Sequence, residues 1–347
     1  MAEDRGNLFF IFCLLQFSQY ICRINNMLMS IQIKKVTTKK ELKQFIRFNY
    51  ELYKDNPYSV PDLYEDMLNT FSSKKNAAFD FCEADYFLAY QDGKLVGRVA
   101  AIINHTWQSK TVRFGWIDFI DDKAVSRALI DAVIAWGRER GMTTLEGPLG
   151  FTDMDAEGML IEGFDQLSTM ATIYNHPYYP KHIEALGMEK SADWVERKLF
   201  VPDEVPEKHL RIANIVKEKY HLQVRKLRSG KDAYANNTAR RIFQLINEAY
   251  APLFNYSQMT ERQIDQYVKM YIPLLDFRMV TLVENEAKEL VAVGISMPSI
   301  ARALQKARGK LYPFGWYHLL RALKWKHDEV LDLLLIAVRP DYQGKGV

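Results

Sequence analysis

Cysteine is scarce. There are three in 347 residues, Cys13, Cys22 and Cys82. None stands in a CxxC pair, which argues against a cysteine-based zinc site. The odd count argues against a disulfide framework and fits a reducing compartment. The seven histidines show no HExxH spacing. His176 and His182 are separated by a proline-containing segment, and no metal is expected. Long apolar runs are missing too. The run LFFIFCLLQF near the N-terminus has about ten residues, short of the ~20 that span a bilayer. The preceding MAEDRGN lacks the cationic start of a signal peptide. Residues 1–28 therefore read as an upstream extension from a misassigned start, outside the fold, with a weak membrane anchor as the alternative. Net charge is only +3, which implies no global attraction to nucleic acid.

What is present suffices for a globular core. The chain is 48% hydrophobic and 26% charged, and its length suggests two domains. IQIKKV (31–36) alternates as a half-buried strand does. Thr37 or Thr38 caps a helix through KELKQFIRFNYELYK, and a second helix follows around 61–70. Asp92-Gly93 joins two strands in a hairpin. TVRFGWIDFI is a third strand, KAVSRALIDAVIAWGRER an amphipathic helix closed by Gly141, and TTLEGPLG a strand. HIEALGM is a short helix ending at Gly187, and ADWVERKLFV a strand. Pro202 and Pro206 bracket an acidic linker before a helix at 207–220. The layout then recurs: strand HLQVRKLR, helices DAYANNTARRIFQLINEAY and ERQIDQYVKMYIPLL, hairpin FRMVTLVE/ELVAVGISMP, a long helical insertion at 299–327, and an apolar strand at 330–338. Two related α/β domains follow, 29–201 and 221–347, with 202–220 as linker and helix.

The chain closes on VLDLLLIAVRPDYQGKGV. The run Leu333–Val338 suits a strand covered on both faces. The glycines after it let successive N–H groups converge on one point, an anion nest. The pattern Gln343-Gly344-Lys345-Gly346-Val347, with the strand order around it, resembles the GNAT acyltransferases, whose signature is Q/R-x-x-G-x-G/A. The resemblance covers about 29–347. It implies two GNAT-like mixed-sheet domains in tandem, the second incomplete at the C-terminus because the motif stops one residue short. The first looks degenerate, since Asp121-Asp122-Lys123-Ala124 stands where the glycines should be and its carboxylates would repel a pyrophosphate. The opening VTTKKELKQFIRFNYELYKDNPYSVPDL and the segment YNHPYYPKHIEALGM are more similar to the bacterial ceramide synthase-like group than to the peptide-bridge aminoacyltransferases.

The resemblance implies an N-acyltransferase moving an acyl group from acyl-CoA, or a related thioester, to an amine. A long-chain sphingoid-type amine is one acceptor it suggests, and a small-molecule amine another. Acetyl-CoA or acyl-CoA is the expected co-substrate. Ile336, Ala337 and Val338 would pair with the pantetheine arm, and Gln343, Gly344, Lys345, Gly346 and Val347 would cradle the pyrophosphate. Asp332 is the candidate base or relay, or else a strand-end charge. Tyr178 and Tyr179, with His176, are an acceptor-side cluster or else packed aromatics. The family's usual tyrosine acid would lie past Val347. A chain that ends there could be a non-catalytic binding or scaffold protein, which is the alternative function.

The insertion SIARALQKARGKLYPFGWYHLLRALKWKH carries seven Lys/Arg and no Asp or Glu. Tyr312, Phe314, Trp316, Tyr317 and Trp325 interleave with them. Basic residues for anionic headgroups and aromatics for the boundary suit a membrane interface. Single-stranded nucleic acid asks for the same residue types, and a solvated lid is the plain alternative. The expectation is a cytoplasmic protein with peripheral contact at the inner membrane face and no nucleic-acid partner.

Overall fold

The computed structural model describes residues 7–16, 31–107, 109–326 and 328–347. The chain forms two compact units, one of Met1–Lys198 with Leu304–Gly315, the other of Leu199–Ala303 with Trp316–Val347.

The first unit contains β1 (Asn7–Gln16), β2 (Gln32–Lys35), α1 (Lys39–Leu52), α2 (Tyr64–Thr70), β3 (Cys82–Gln91), β4 (Lys94–Asn104), β5 (Thr111–Phe119), α3 (Lys123–Glu139), β6 (Thr144–Gly147), α4 (Tyr178–Ala185) and β7 (Glu189–Arg197). Its sheet order is β2-β3-β4-β5-β6-β1-β7. The β5/β6 pair is parallel because α3 carries the chain back across the sheet, and the sheet is therefore mixed. The segment expected to lie outside the fold supplies β1, which pairs antiparallel with both β6 and β7.

Period-two alternation builds a core on each side of this sheet. Phe87, Ala89, Val99, Ala101 and Ile103 pack with Val125, Leu129 and Val133 of α3. Their neighbours Tyr86, Leu88, Ala100 and Ile102 pack on the opposite side with Phe45 and Ile46 of α1. Thr38 caps α1 through a reciprocal box. Its hydroxyl accepts from the Glu41 N–H at 3.2 Å, and Glu41 Oε2 accepts from the Thr38 N–H at 3.0 Å. Asp92 and Gly93, at φ 50° and 74°, turn β3 into β4 as the Asp-Gly pair predicts.

The second unit contains α5 (Glu207–Lys219), β8 (Gln223–Lys226), α6 (Gly230–Tyr234), α7 (Thr238–Tyr250), α8 (Glu261–Tyr271), β9 (Val280–Glu284) and β10 (Leu290–Pro298). It is completed by parts of α9 (Ala301–Ala307) and α10 (Gly315–Leu320), a π-helical turn (Arg321–Trp325) and β11 (Leu331–Val338). Its sheet, β11-β10-β9-β8, is antiparallel throughout. None of its described strands enters after a crossover helix.

Two expected helices are broken. DAYANNTARRIFQLINEAY divides between α6 and α7 because Asn236 and Asn237 take left-handed φ of 51° and 55°, which asparagine tolerates. The insertion at 299–327 is not one long helix. Arg308 and Gly309 turn at φ 49° and 67°, and Pro313 has no amide hydrogen to continue a helical ladder.

Candidate functional site

β11 is the end strand of the second sheet, with β10 its one sheet partner among the described residues. Ile295 pairs with Leu335, but the next residue, Ser296, pairs with Leu333. Leu334 is the extra residue of a bulge. A bulge reverses the in/out phase of the strand beyond it. Leu331 and Leu333 are exposed before it and Ile336 after it, whereas Asp332 and Ala337 are buried. The apolar run read as covered on both faces is thus half open. Leu333 is 60% exposed and Ile336 58%. The continuous hydrophobicity signals one buried face and one apolar exposed face. The Tyr250 hydroxyl from α7 donates to the Ile336 carbonyl at 3.0 Å.

After Val338 the chain folds into a compact turn. Arg339 N–H returns to the Val291 carbonyl at 2.8 Å, and the Gln343 side-chain amide donates to the Val338 carbonyl at 2.9 Å. The N–H groups of Tyr342, Gln343 and Lys345 donate within the turn. Gly344 and Gly346 sit at φ 71° and 83°, where a side chain would be strained, and their N–H groups have no acceptor among the described residues. These are two donors that the turn does not use internally, but they are not successive, since the Lys345 N–H between them donates to the Tyr342 carbonyl, whereas a nest is built from successive N–H groups. The Lys345 ammonium lies 5.3 Å from the centres of both the Tyr220 and Tyr342 rings.

Arg339 adds less charge to this turn than its position suggests. Its Nε and Nη2 lie 2.7 and 3.0 Å from the two Asp341 carboxylate oxygens, and Nη1 lies 3.1 Å from Glu289. The guanidinium holds the Asp341 carboxyl below its ordinary range. Asn285 and then Arg339 do the same for Glu289. Lys345 adds a second cation, which Asp341 also feels, so the turn's two cations face two carboxylates. Asp332 is buried near the start of β11, opposite Met297.

In the first unit the equivalent places are closed. β5 and β6 stay paired from Thr111 to Arg113 and then part. The gap is filled at once, with the Leu149 N–H donating to the Phe114 carbonyl at 2.8 Å. A Cβ on Gly115 would stand 2.3 Å from the Leu149 carbonyl oxygen, so only glycine admits this approach. The N-terminus of α3 is capped by Asp122, whose Oδ1 accepts from the Ala124 N–H at 2.8 Å. A carboxylate of the chain itself occupies the place where an external anion would bind.

Tyr178, Tyr179 and His176 do cluster. The His176 ring stacks on Tyr53 at 4.8 Å and on Tyr178 at 5.3 Å. The Tyr179 hydroxyl is fully engaged: it donates to Asp118 Oδ1 at 3.1 Å and accepts from the Phe119 N–H and the Tyr53 hydroxyl at 3.1 and 3.0 Å. Burial and the Asp118 charge push it well above an ordinary tyrosine. Tyr178 donates to the Phe119 carbonyl at 2.5 Å, and burial raises it as well. These residues belong to the first unit and Asp332 to the second.

Sequence reading missed one arrangement. His182 Nδ1 lies 3.0 Å from Ser126 Oγ, and its Nε2 lies 3.0 Å from Asp121. The residue types are those of a hydrolase triad, but Ser126 is 1% exposed and its hydroxyl also reaches the Lys123 carbonyl. It offers no accessible nucleophile and ties α4 to the start of α3. His182 stands 56 and 61 positions from Ser126 and Asp121, so no local signal could reveal the arrangement. Among the described residues no group of three or more His, Cys, Asp or Glu is placed to hold a metal ion.

No family model matches the chain. It is 28% identical over 319 residues to Protein YghO of Escherichia coli (strain K12), covering 90% of this chain and 79% of that protein. It is also 28% identical over 318 residues to a bacterial ceramide synthase of Caulobacter vibrioides (strain NA1000 / CB15N), covering 90% and 82%. Among solved structures it is similar to a tandem GNAT protein from the clavulanic acid biosynthesis pathway, with TM-score 0.42 and 14% identity over 77% of this chain and 74% of that one. It is also similar to an aminoglycoside N-acetyltransferase in complex with CoA, with TM-score 0.30 and 18% identity over 52% and 100%.

Proposed function

We propose that the protein is an N-acyltransferase that moves an acyl group from acyl-CoA, or a related thioester, to an amine. The observation that carries this reading is the bulged edge strand β11 running directly into a turn in which the N–H groups of Gly344 and Gly346 have no acceptor among the described residues and Lys345 adds a cation. Gly344 and Gly346 N–H with the Lys345 ammonium fit a pyrophosphate. The backbone of Ile336, Ala337 and Val338 is offered to the pantetheine arm, for which the Tyr250 hydroxyl would have to release the Ile336 carbonyl. Gln343 holds the turn onto the strand, and Val347 follows it.

The reaction would proceed by attack of a neutral amine nitrogen on the thioester carbonyl. A C–N bond forms, the C–S bond breaks, and the sulfur leaves as thiolate. Alkyl amines have pKa values of about 10, so a base must take the amine proton. Asp332 is proposed as that base or as a relay to it. An acid role for Tyr178 or Tyr179 would require its hydroxyl to leave the Phe119 carbonyl or Asp118. Much of the rate would come from holding donor and acceptor together.

The finer proposal is a long-chain sphingoid-type amine as acceptor. It is supported by the relative named bacterial ceramide synthase and by the exposed apolar face of β11, Leu331, Leu333 and Ile336. We place the enzyme in the cytoplasm, with peripheral contact at the inner membrane face. Among the described residues no helix is long and apolar enough to cross a membrane.

The test is direct. The chain is incubated with palmitoyl-CoA or acetyl-CoA and with sphinganine or a short alkyl amine, and amide product is read by mass spectrometry. Amide with sphinganine supports the full reading, and amide with short amines alone removes the lipid acceptor. A thermal shift with CoA thioesters but no amide favours a binding protein. Neither shift nor amide ends the proposal.

A further inference from the structure

Trp316 to Lys326 occupies one surface of the second unit. Leu319 and Leu323, four apart, are buried and anchor it, and the π-helical turn packs against β10. The side chains that would ordinarily be polar on the outer face are Trp316, Tyr317, Leu320 and Trp325. They are 44, 42, 39 and 63% exposed. The Tyr317 ring lies 6.0 Å from Trp325 and 6.3 Å from Trp316, so the three rings form one exposed aromatic patch. Arg321, Lys324 and Lys326 are exposed among them.

The same turn borders an open cleft of about 390 Å³, lined by Arg228, Arg278, Lys324, Phe277 and Asp276 among others. Asp276 is the single carboxylate in that lining. Arg278 grips it, with Nε 3.0 Å from Oδ1 and Nη2 2.6 Å from Oδ2, and this holds the carboxyl down at about 2. Lys324 donates to the Leu275 carbonyl at 3.0 Å. With Asp276 neutralised by Arg278, the cleft keeps the charges of Arg228 and Lys324. A positive cleft beside a cluster of exposed tryptophan and tyrosine rings matches a bilayer surface. Rings with an apolar body and a polar edge settle at the headgroup boundary, and cations meet the phosphates.

We infer that this surface docks on an anionic lipid bilayer, with a phosphate headgroup seated between Arg228 and Lys324 and with Trp316, Tyr317 and Trp325 inserted beside it. Exposed rings alone would also serve a polynucleotide, but that occupant asks in addition for a positively charged groove tracking its backbone, whereas the positive charge here is gathered in one cleft. The inference stands apart from acyl transfer, because it is read with no thioester present.

The experiment is sedimentation of the full chain with vesicles of phosphatidylcholine alone or mixed with phosphatidylglycerol. The expected result is partition into the anionic vesicles at least tenfold above the neutral ones, falling as salt is raised past the range where charges are felt. Lys324→Gln and Arg228→Gln should each weaken it about fivefold. Trp316→Ala/Trp325→Ala should abolish the blue shift of tryptophan emission on binding. Circular dichroism checks that each variant folds, and the two lipid compositions test the wild-type chain without any variant. Equal partition into both vesicles would overturn the inference. So would an unchanged affinity in the double tryptophan variant, or tighter binding to an oligonucleotide than to the anionic vesicles.

Discussion

Arg98 and Asp118 face each other directly across β4 and β5, with Arg98 Nη2 2.7 Å and Nε 2.8 Å from Asp118 Oδ2. Both are 4% exposed. Arg98 Nη1 donates to the Phe45 carbonyl at 2.9 Å, and Asn49 and Tyr179 donate to the two Asp118 oxygens at 3.1 Å each. The pair therefore ties α1, two strands and α4 to one point. Removing one partner strands the other charge in the core. Arg98→Met should cost about 3–5 kcal/mol in urea unfolding. The double variant Arg98→Met/Asp118→Leu should recover most of that loss. A single variant within about 1 kcal/mol of wild type would show that the pair holds nothing together.

Glu157 should give the first unit a pH dependence whose sign follows from its burial. Burial, then the neighbouring Asp153, pushes its carboxyl from 4.5 up to about 8. The folded state keeps this proton where the unfolded state has lost it. The contribution is full below pH ~4.5, falls as pH rises, and is gone above about 8. Glu157→Gln should therefore gain stability relative to wild type as pH goes from 5 to 8, read as Tm difference against pH. A difference that does not change with pH would refute the assignment.

Gly115 and Gly230 should respond oppositely to alanine. At Gly115 the new Cβ would meet the Leu149 carbonyl oxygen at 2.3 Å, whereas at Gly230 the nearest atom is 3.9 Å away. Gly115→Ala should cost about 3 kcal/mol or more. Gly230→Ala, in a helix, should be neutral or stabilise by about 0.5 kcal/mol. Denaturant midpoints of the two variants decide it.

The pyrophosphate role proposed for the final turn can be tested apart from the fold. Gly344 has open space around its Cβ position but φ of 71°. Gly344→Ala should lower stability by only about 1 kcal/mol. It should nevertheless weaken CoA binding about tenfold or more by calorimetry, because the N–H direction depends on that φ. Lys345→Gln should weaken CoA binding with no change in Tm. If both bind CoA as wild type does, the turn is not the cradle.

Local features were well marked in the sequence. The helix start at Thr37 or Thr38, the Asp92-Gly93 hairpin and the alternation in β3 and β4 each depend on residues a few positions apart and formed where the pattern indicated, with Thr38 the cap and Glu41 completing a box that sequence reading missed. The carboxylates at Asp121-Asp122 indicated a blocked helix start, and Asp122 does cap α3. Helix breaks at Asn236-Asn237 were not legible, because asparagine tolerates the left-handed region without requiring it. The bulge at Leu334 was hidden for a related reason. In a run of leucines, either phase of alternation looks the same.

The sequence by itself determined most of the elements, their order and the glycine spacing of the final turn, because these follow from spacing along one chain; it missed β1 and the breaks in two helices. Only the tertiary structure decided which apolar residues were covered. It left Leu333 and Ile336 open, closed the first unit's gap with Leu149, and set Arg98 on Asp118 and His182 between Ser126 and Asp121. Burial and charge pairing are properties of neighbours in space. The partners in these contacts stand some twenty to sixty positions apart, so their energies exist only once the sheets are assembled.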